Sequence, residues 1–237
     1  MKRLFRYICF AFLLSSTSYA QSRDDYRISI GGVYGLYQAN GEKDATDIGA
    51  SLAFNYRSIY NRVFYSTAVE WSGGSFTRKD EKASAFWLGN YHIKLGFNPF
   101  SQANLLFVNV GYSWDYEFTG YVADPKKPLE TGLHMVGLDL QGFIKANEKL
   151  TYEYNVGYHY VFHGYHYLEE TRSGINDYSY AIKGYVGYTY QLSPKVAYFL
   201  NLKAKYYDLA TSKFNTPDFN RPKTKHLISM VELGLQF

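Results

Sequence analysis

The sequence predicts an all-β protein: a transmembrane, antiparallel up-and-down β-barrel of about ten strands, with eight and twelve as the neighbouring counts. Three observations carry this reading. Apolar and aromatic residues recur at every second position over most of the chain, and tight turns alternate with longer polar loops. Beyond residue 20 no stretch stays apolar for eighteen residues. That leaves no helix long enough to span a bilayer, so alternating strands are the means of crossing lipid.

The first twenty residues read as an export signal. Lys2, Arg3 and Arg6 form a basic start, "YICFAFLLS" a short apolar core, and Ser18 and Ala20 the small residues expected before a cleavage point. The expected division is a signal peptide over 1–20 and one barrel domain over 21–237. Cys9, the single cysteine, falls in the leader, so disulfide scaffolds, thiolate zinc sites and cysteine nucleophiles are excluded from the barrel. Removing three of the 25 bases leaves 22 against 21 acids, a formal charge of +1. The basic pI therefore belongs mostly to the leader, and no nucleic-acid partner is expected.

Strand side chains alternate faces, so lipid on one side and a polar interior on the other produce an apolar residue at every second position. From Tyr26 the outward set is Ile28, Ile30, Tyr34 and Leu36; from Ile48 it is Ala50, Leu52, Phe54 and Tyr56. The parity then flips for Val63 to Trp71 and for Ala85 to Phe97, and flips back for Leu106 to Tyr116 and Val136 to Ile144. "TYEYNVGYHYVFHGYHY" over 151–167 places Tyr152, Tyr154, Val156, Tyr158, Tyr160 and Phe162 outside, with His159 and His163 inside. Tyr178 to Leu192, Val196 to Tyr206 and Leu227 to Phe237 complete ten strands. An even count returns both chain ends to one side of the membrane.

"RSIYN", "NPFSQ", "KANEK" and "SPK" are tight connections, and the longer polar loops fall at about 39–46, 73–83, 119–131, 164–177 and 211–223. All six prolines lie in these connections, where none removes a ladder hydrogen bond. On 178–192 the outward face runs tyrosines, aliphatics, tyrosines, the order expected of two aromatic girdles at the membrane interfaces.

The last strand, "LISMVELGLQF", alternates Val231, Leu233 and Leu235 back from Phe237. With the leader and the tyrosine-rich strands, it resembles small bacterial outer-membrane β-barrel proteins, the opacity and small-porin-like class. The resemblance implies an outer-membrane location, contact with membrane lipid and lipopolysaccharide, and recognition of the final strand by the barrel-assembly machinery. The glycine often found upstream of the terminal aromatic is displaced here, with Glu232 in its place and the glycine at Gly234. That class includes adhesins, solute channels, omptin proteases and lipid A-modifying enzymes, so the resemblance specifies an architecture and not one function.

The inward positions carry the candidate chemistry: Asn109, Asp139, Glu153, Asn155, Lys183, Lys203, Lys205 and Glu232 line the lumen. A narrow barrel fills its interior with paired charges and hydrogen bonds, which favours a non-enzymatic surface or structural protein, or a narrow solute pore. The alternative is a barrel hydrolase, omptin-like or lipid A-modifying, using Asp115, Glu117, His159 and His163 near the outer mouth. His159 and His163 do not make a metal site, because four residues of strand separate them by roughly 13 Å. No cofactor is expected. The outer loops carry Arg78, Lys79, Lys82, Lys126, Lys127, Arg172, Lys213, Arg221 and Lys223, read as solvated charge, or else as contacts for lipopolysaccharide phosphates.

Overall fold

A computed structural model describes residues 22–100, 105–119, 129–168, 171–175, 177–213 and 220–237. The expected leader, together with Lys126 and Lys127, lies outside the described residues, as does the side chain of Lys213. Ten long strands form the wall: β1 Ser22–Ala39, β2 Ala45–Tyr60, β3 Val63–Arg78, β4 Ser84–Phe97, β5 Leu105–Thr119, β6 Leu129–Lys145, β7 Leu150–Leu168, β9 Tyr180–Ser193, β10 Val196–Leu209 and β13 Thr224–Gln236. Three short strands, β8 Thr171–Gly174, β11 Ser212–Lys213 and β12 Asn220–Arg221, lie in the outer loops.

Each long strand pairs antiparallel with its neighbours in sequence. β1 also pairs with β13, which closes the sheet. Closure satisfies the backbone groups that lipid cannot. The tight-turn end is built for reversal: Tyr60 faces Val63 across a two-residue loop whose Asn61 has φ 56°, a left-handed conformation that asparagine tolerates. β2 and β3 cross closely near the outer end, where a Cβ on Gly49 or Gly74 would collide with the carbonyl of Gly73 or Ile48. Glycine is required there for the ladder to continue.

The strands outrun the expected loops. β3 continues to Arg78, so the loop read over 73–83 contracts to 79–83. The segment read as 164–177 contains the end of β7 and all of β8, and 211–223 contains the β11–β12 pair. Backbone pairing extends past the apolar stretch because a ladder does not depend on which solvent covers it.

The outside of the barrel is the apolar side. Ile30, Leu138 and Val110 are 66 %, 65 % and 58 % exposed, an arrangement that water would penalise and lipid rewards. The lumen-facing positions carry most of the buried polar residues.

One face assignment is overturned. The β6–β7 register pairs His134 with His163 but Met135 with Val161, leaving Phe162 as an extra residue in a bulge. A bulge of one residue exchanges inside and outside for everything beyond it. His163 is therefore exposed on the outer surface, and His166 is buried inside the barrel.

Candidate functional site

The lumen is filled in layers. At the tight-turn end Ile59, Phe64, Phe107 and Phe143 pack together, with ring centroids 5.4 Å apart for Phe64–Phe107 and 6.2 Å for Phe107–Phe143. Beside them Glu153 accepts from both Arg27 (3.0 and 2.5 Å) and Arg57 (2.8 Å), and from the Thr189 hydroxyl at 2.6 Å. Arg57 also donates to Asp25 at 2.9 Å. The guanidinium of Arg27 lies over Phe199 at 4.6 Å and that of Arg57 over Phe143 at 5.3 Å. One carboxylate thus holds β1, β2 and β7 together across the interior, with charge-assisted hydrogen bonds.

Above this layer is a cavity of about 110 Å³, lined by Ser29, Asn55, Glu70, His92, Lys94, Asn155, Lys203 and other polar side chains. At ~10–15 Å³ for each water, it has room for a small cluster of solvent. Its charges are mutually paired. Lys203 bridges Glu70 (3.1 Å) and Glu232 (2.7 Å), and Lys205 reaches Glu70 at 2.6 Å. Lys94 reaches Asp139 at 2.7 Å and Lys183 reaches Asp115 at 2.6 Å.

The outer half contains a larger apolar layer. Val33, Tyr37, Phe76, Phe86, Leu133, Met135, Val161, Tyr207, Ile228 and Met230 belong to one buried cluster. Every long strand except β5 contributes to it. Within it Tyr37 of β1 and Phe76 of β3 meet edge to face, with ring centroids 5.7 Å apart. Near it His226 lies between Asp47 (Nε2, 2.7 Å) and Glu117 (Nδ1, 3.4 Å). At the mouth Arg221 is buried against Thr131, His166, Tyr37 and Thr224.

The four residues of the hydrolase alternative do not converge. Asp115 is bound by Lys183, by the Tyr207 hydroxyl at 2.5 Å and by Asn90. Glu117 belongs to His226. His159, on β7 and two strands from Asp115 and Glu117, lies 3.5 Å from Asp139. His163 is outside, beside His134 with ring centroids 5.5 Å apart, and its Nε2 is 3.1 Å from Arg172. The lumen positions Asn109, Asp139, Glu153, Asn155, Lys183, Lys203, Lys205 and Glu232 are all on the inner face. Lys203 meets Glu232 and Lys183 is opposite Lys205 on β10, while His159 faces Ala181 and Lys183 is opposite Gly157 on β7.

Arg27, Arg57, Glu70, Lys94 and Asp47 are further members of this network. All of them occupy inward parity on their strands, so the alternation that selected the others would also have selected them. The switch on β7 left a trace as well: the tyrosines fall on even positions through Tyr160 and on odd positions at Tyr165 and Tyr167. Two outer-loop bases read as solvated are buried. Arg78 pairs with Glu42 at 2.5 Å, and Arg221 is 1 % exposed. Arg78 is inward because β3 continues as wall strand to that residue, and Arg221 because the β11–β12 pair brings it against β1, β6 and β7.

No family model and no curated protein matches the sequence. Solved structures do match in shape. The outer membrane protease OmpT from Escherichia coli superposes with a TM-score of 0.63 at 9 % identity, covering 94 % of this chain and 99 % of that one. The translocator domain of the autotransporter NalP from Neisseria meningitidis gives 0.48 at 8 % identity over 98 % and 93 %. The attachment invasion locus protein Ail of Yersinia pestis gives 0.34 at 12 % over 91 % and 99 %. Likeness at such identities is likeness of fold. The chain is a closed ten-stranded antiparallel barrel, similar in architecture to small outer-membrane β-barrel proteins.

Proposed function

We propose that this is a non-conducting integral protein of the bacterial outer membrane, whose role is carried by its outward-facing surface and not by transport through its lumen. The observation behind this reading is the apolar layer from Val33 to Met230 across the outer half of the barrel, with the Phe64–Phe107–Phe143 cluster below. The enclosed polar belt has its lysines and arginines paired with carboxylates, so it lacks the single-sign lining that selects and passes ions. Export through residues 1–20 and insertion guided by the strand ending in Phe237 belong to the same reading. So does contact with lipid and lipopolysaccharide through the exterior rings, such as Tyr26 and Tyr56 near the tight-turn end and Trp114 and Tyr116 near the loops. The test is a planar bilayer recording of the refolded protein. Absence of discrete conductance steps is expected, and reproducible steps would defeat the proposal.

A second reading, a hydrolase at the outer mouth, is favoured by one observation: His226 lies between two carboxylates in a barrel shaped like a known protease. Its imidazole is 1 % exposed, so a substrate would have to displace the residues that cover it. Cleavage of any peptide or lipid substrate that His226→Gln abolishes, with folding intact, would establish this reading over the first.

A further inference from the structure

Ionisable side chains are costly on a surface that faces acyl chains, yet three nitrogen bases share one spot on the outer face of this barrel. His134 on β6 and His163 on β7 lie directly opposite each other, with ring centroids 5.5 Å apart. Arg172 on β8 donates to His163 Nε2 at 3.1 Å, and its guanidinium lies over the rings of Tyr165 at 4.9 Å and Tyr167 at 5.8 Å. On the β5 side the Tyr112 hydroxyl is 2.7 Å from His134 Nδ1, and Trp114 stacks on the same imidazole.

The ladder gives this patch its level. Below His134, the outward positions of β6 carry Val136, Leu138 and Leu140, all exposed aliphatic residues. Opposite His134 on successive strands are Trp114 on β5, Tyr91 on β4, Val69 on β3 and Phe54 on β2, none of them cationic. The three bases therefore mark the upper border of the lipid-facing band on this side of the barrel. Had β7 kept its alternation without a bulge, His163 would face the lumen. The extra residue Phe162 turns it outward, and Phe162 itself is exposed with its ring 6.3 Å from His134. Glu130, four residues from His134 on the same face, is hydrogen-bonded to Tyr116.

At that level of a membrane the complementary chemistry is phosphate. A planar guanidinium makes charge-assisted bonds to phosphate oxygens, and stacking on aromatic rings pre-orders it for the task. We propose that His134, His163 and Arg172 hold the phosphate of an anionic lipid headgroup in the outer leaflet, with Phe162 and Val136 against its acyl chains. The proposal rests on the reading of the barrel as an outer-membrane surface protein and gives that surface one defined lipid contact. It is independent of the lumen, which lies on the other side of the wall: conductance steps would remove the non-conducting reading and leave this site standing.

The test is the thermal midpoint of the detergent-folded protein, read by heat-dependent electrophoretic migration. Short-chain phosphatidic acid is titrated into the micelles, with phosphatidylcholine of the same chain length and inorganic phosphate as comparators. A lipid that binds only the folded state stabilises it saturably. Wild type is expected to gain several degrees with phosphatidic acid and to show no saturable gain with either comparator. Arg172→Gln, and His134→Gln combined with His163→Gln, are each expected to raise the half-saturation concentration several-fold. Two separate variants keep the test decisive if one of them does not fold. Lys225→Gln, which removes an exposed base on β13 outside the patch, is expected to titrate like wild type. Equal gains from phosphatidic acid and phosphatidylcholine would overturn the proposal, as would the full gain from inorganic phosphate alone. So would patch variants that titrate like wild type, or a Lys225→Gln shift as large as that of Arg172→Gln.

Discussion

Glu153 and Arg221 lie at opposite ends of one lumen and are both almost completely buried, yet their surroundings differ in kind. Glu153 accepts from Arg27, Arg57 and Thr189, and cation and anion are matched within a single layer. Arg221 enters the mouth from a loop strand and meets hydroxyls and an imidazole. The difference teaches where the fold is self-sufficient. The lower network is assembled wholly from the barrel wall and cross-links β1, β2, β7, β9 and β13. The upper one joins the wall to a loop, and the hydrogen bonds of Arg221 go to neutral partners on β1, β6, β7 and β13.

The comparison can be broken most severely by moving residues between faces. Deleting Phe162 removes only the extra residue of the bulge, so every other side chain of β7 keeps its face; the variant is expected to fold and retain heat-dependent migration. Deleting Leu138 from the regular ladder of β6 sends half of that strand's inward set into lipid. That variant is expected to yield no folded barrel, and equal folding of the two would contradict the assigned register.

Glu153→Gln tests the lower network next. It leaves Arg27 without a charged partner and Arg57 with Asp25 alone. Breaking a buried pair in this way costs about 3–5 kcal/mol, measured by urea unfolding from detergent or lipid. A loss below about 1 kcal/mol, the scale of an exposed pair, would show that solvent reaches the layer. At the small end, Lys43→Ala removes an exposed contact to Asp80 at 3.8 Å in the β1–β2 and β3–β4 loops. The expected change there is at most about 1 kcal/mol in the same measurement.

Much of this architecture could be read from period two alone, because lipid outside and polar groups inside impose opposite chemistry on alternate residues. Strand number, closure and the inward set including Asp139, Lys203 and Glu232 follow from it. The exchange of His163 for His166 did not, since Val161 and Phe162 are both apolar and conceal the extra residue until the tyrosines change parity above it. The burial of Arg221 was equally hidden. A base in a polar loop reads as solvated, and only the β11–β12 pairing and contacts to β1, β6 and β7, far away in sequence, bring it inside. Local pattern reports the wall; it does not report what folds back into the wall's opening.

The central claim is that side chains close the lumen, and single-channel recording tests it most directly when wild type is compared with the variant Phe64→Ala/Phe107→Ala/Phe143→Ala combined with Phe76→Ala/Phe86→Ala. These five rings belong to the two apolar layers. Wild type is expected to give no conductance steps in a planar bilayer, and a folded variant to give resolvable ones. Steps of the same size from both proteins would contradict the account.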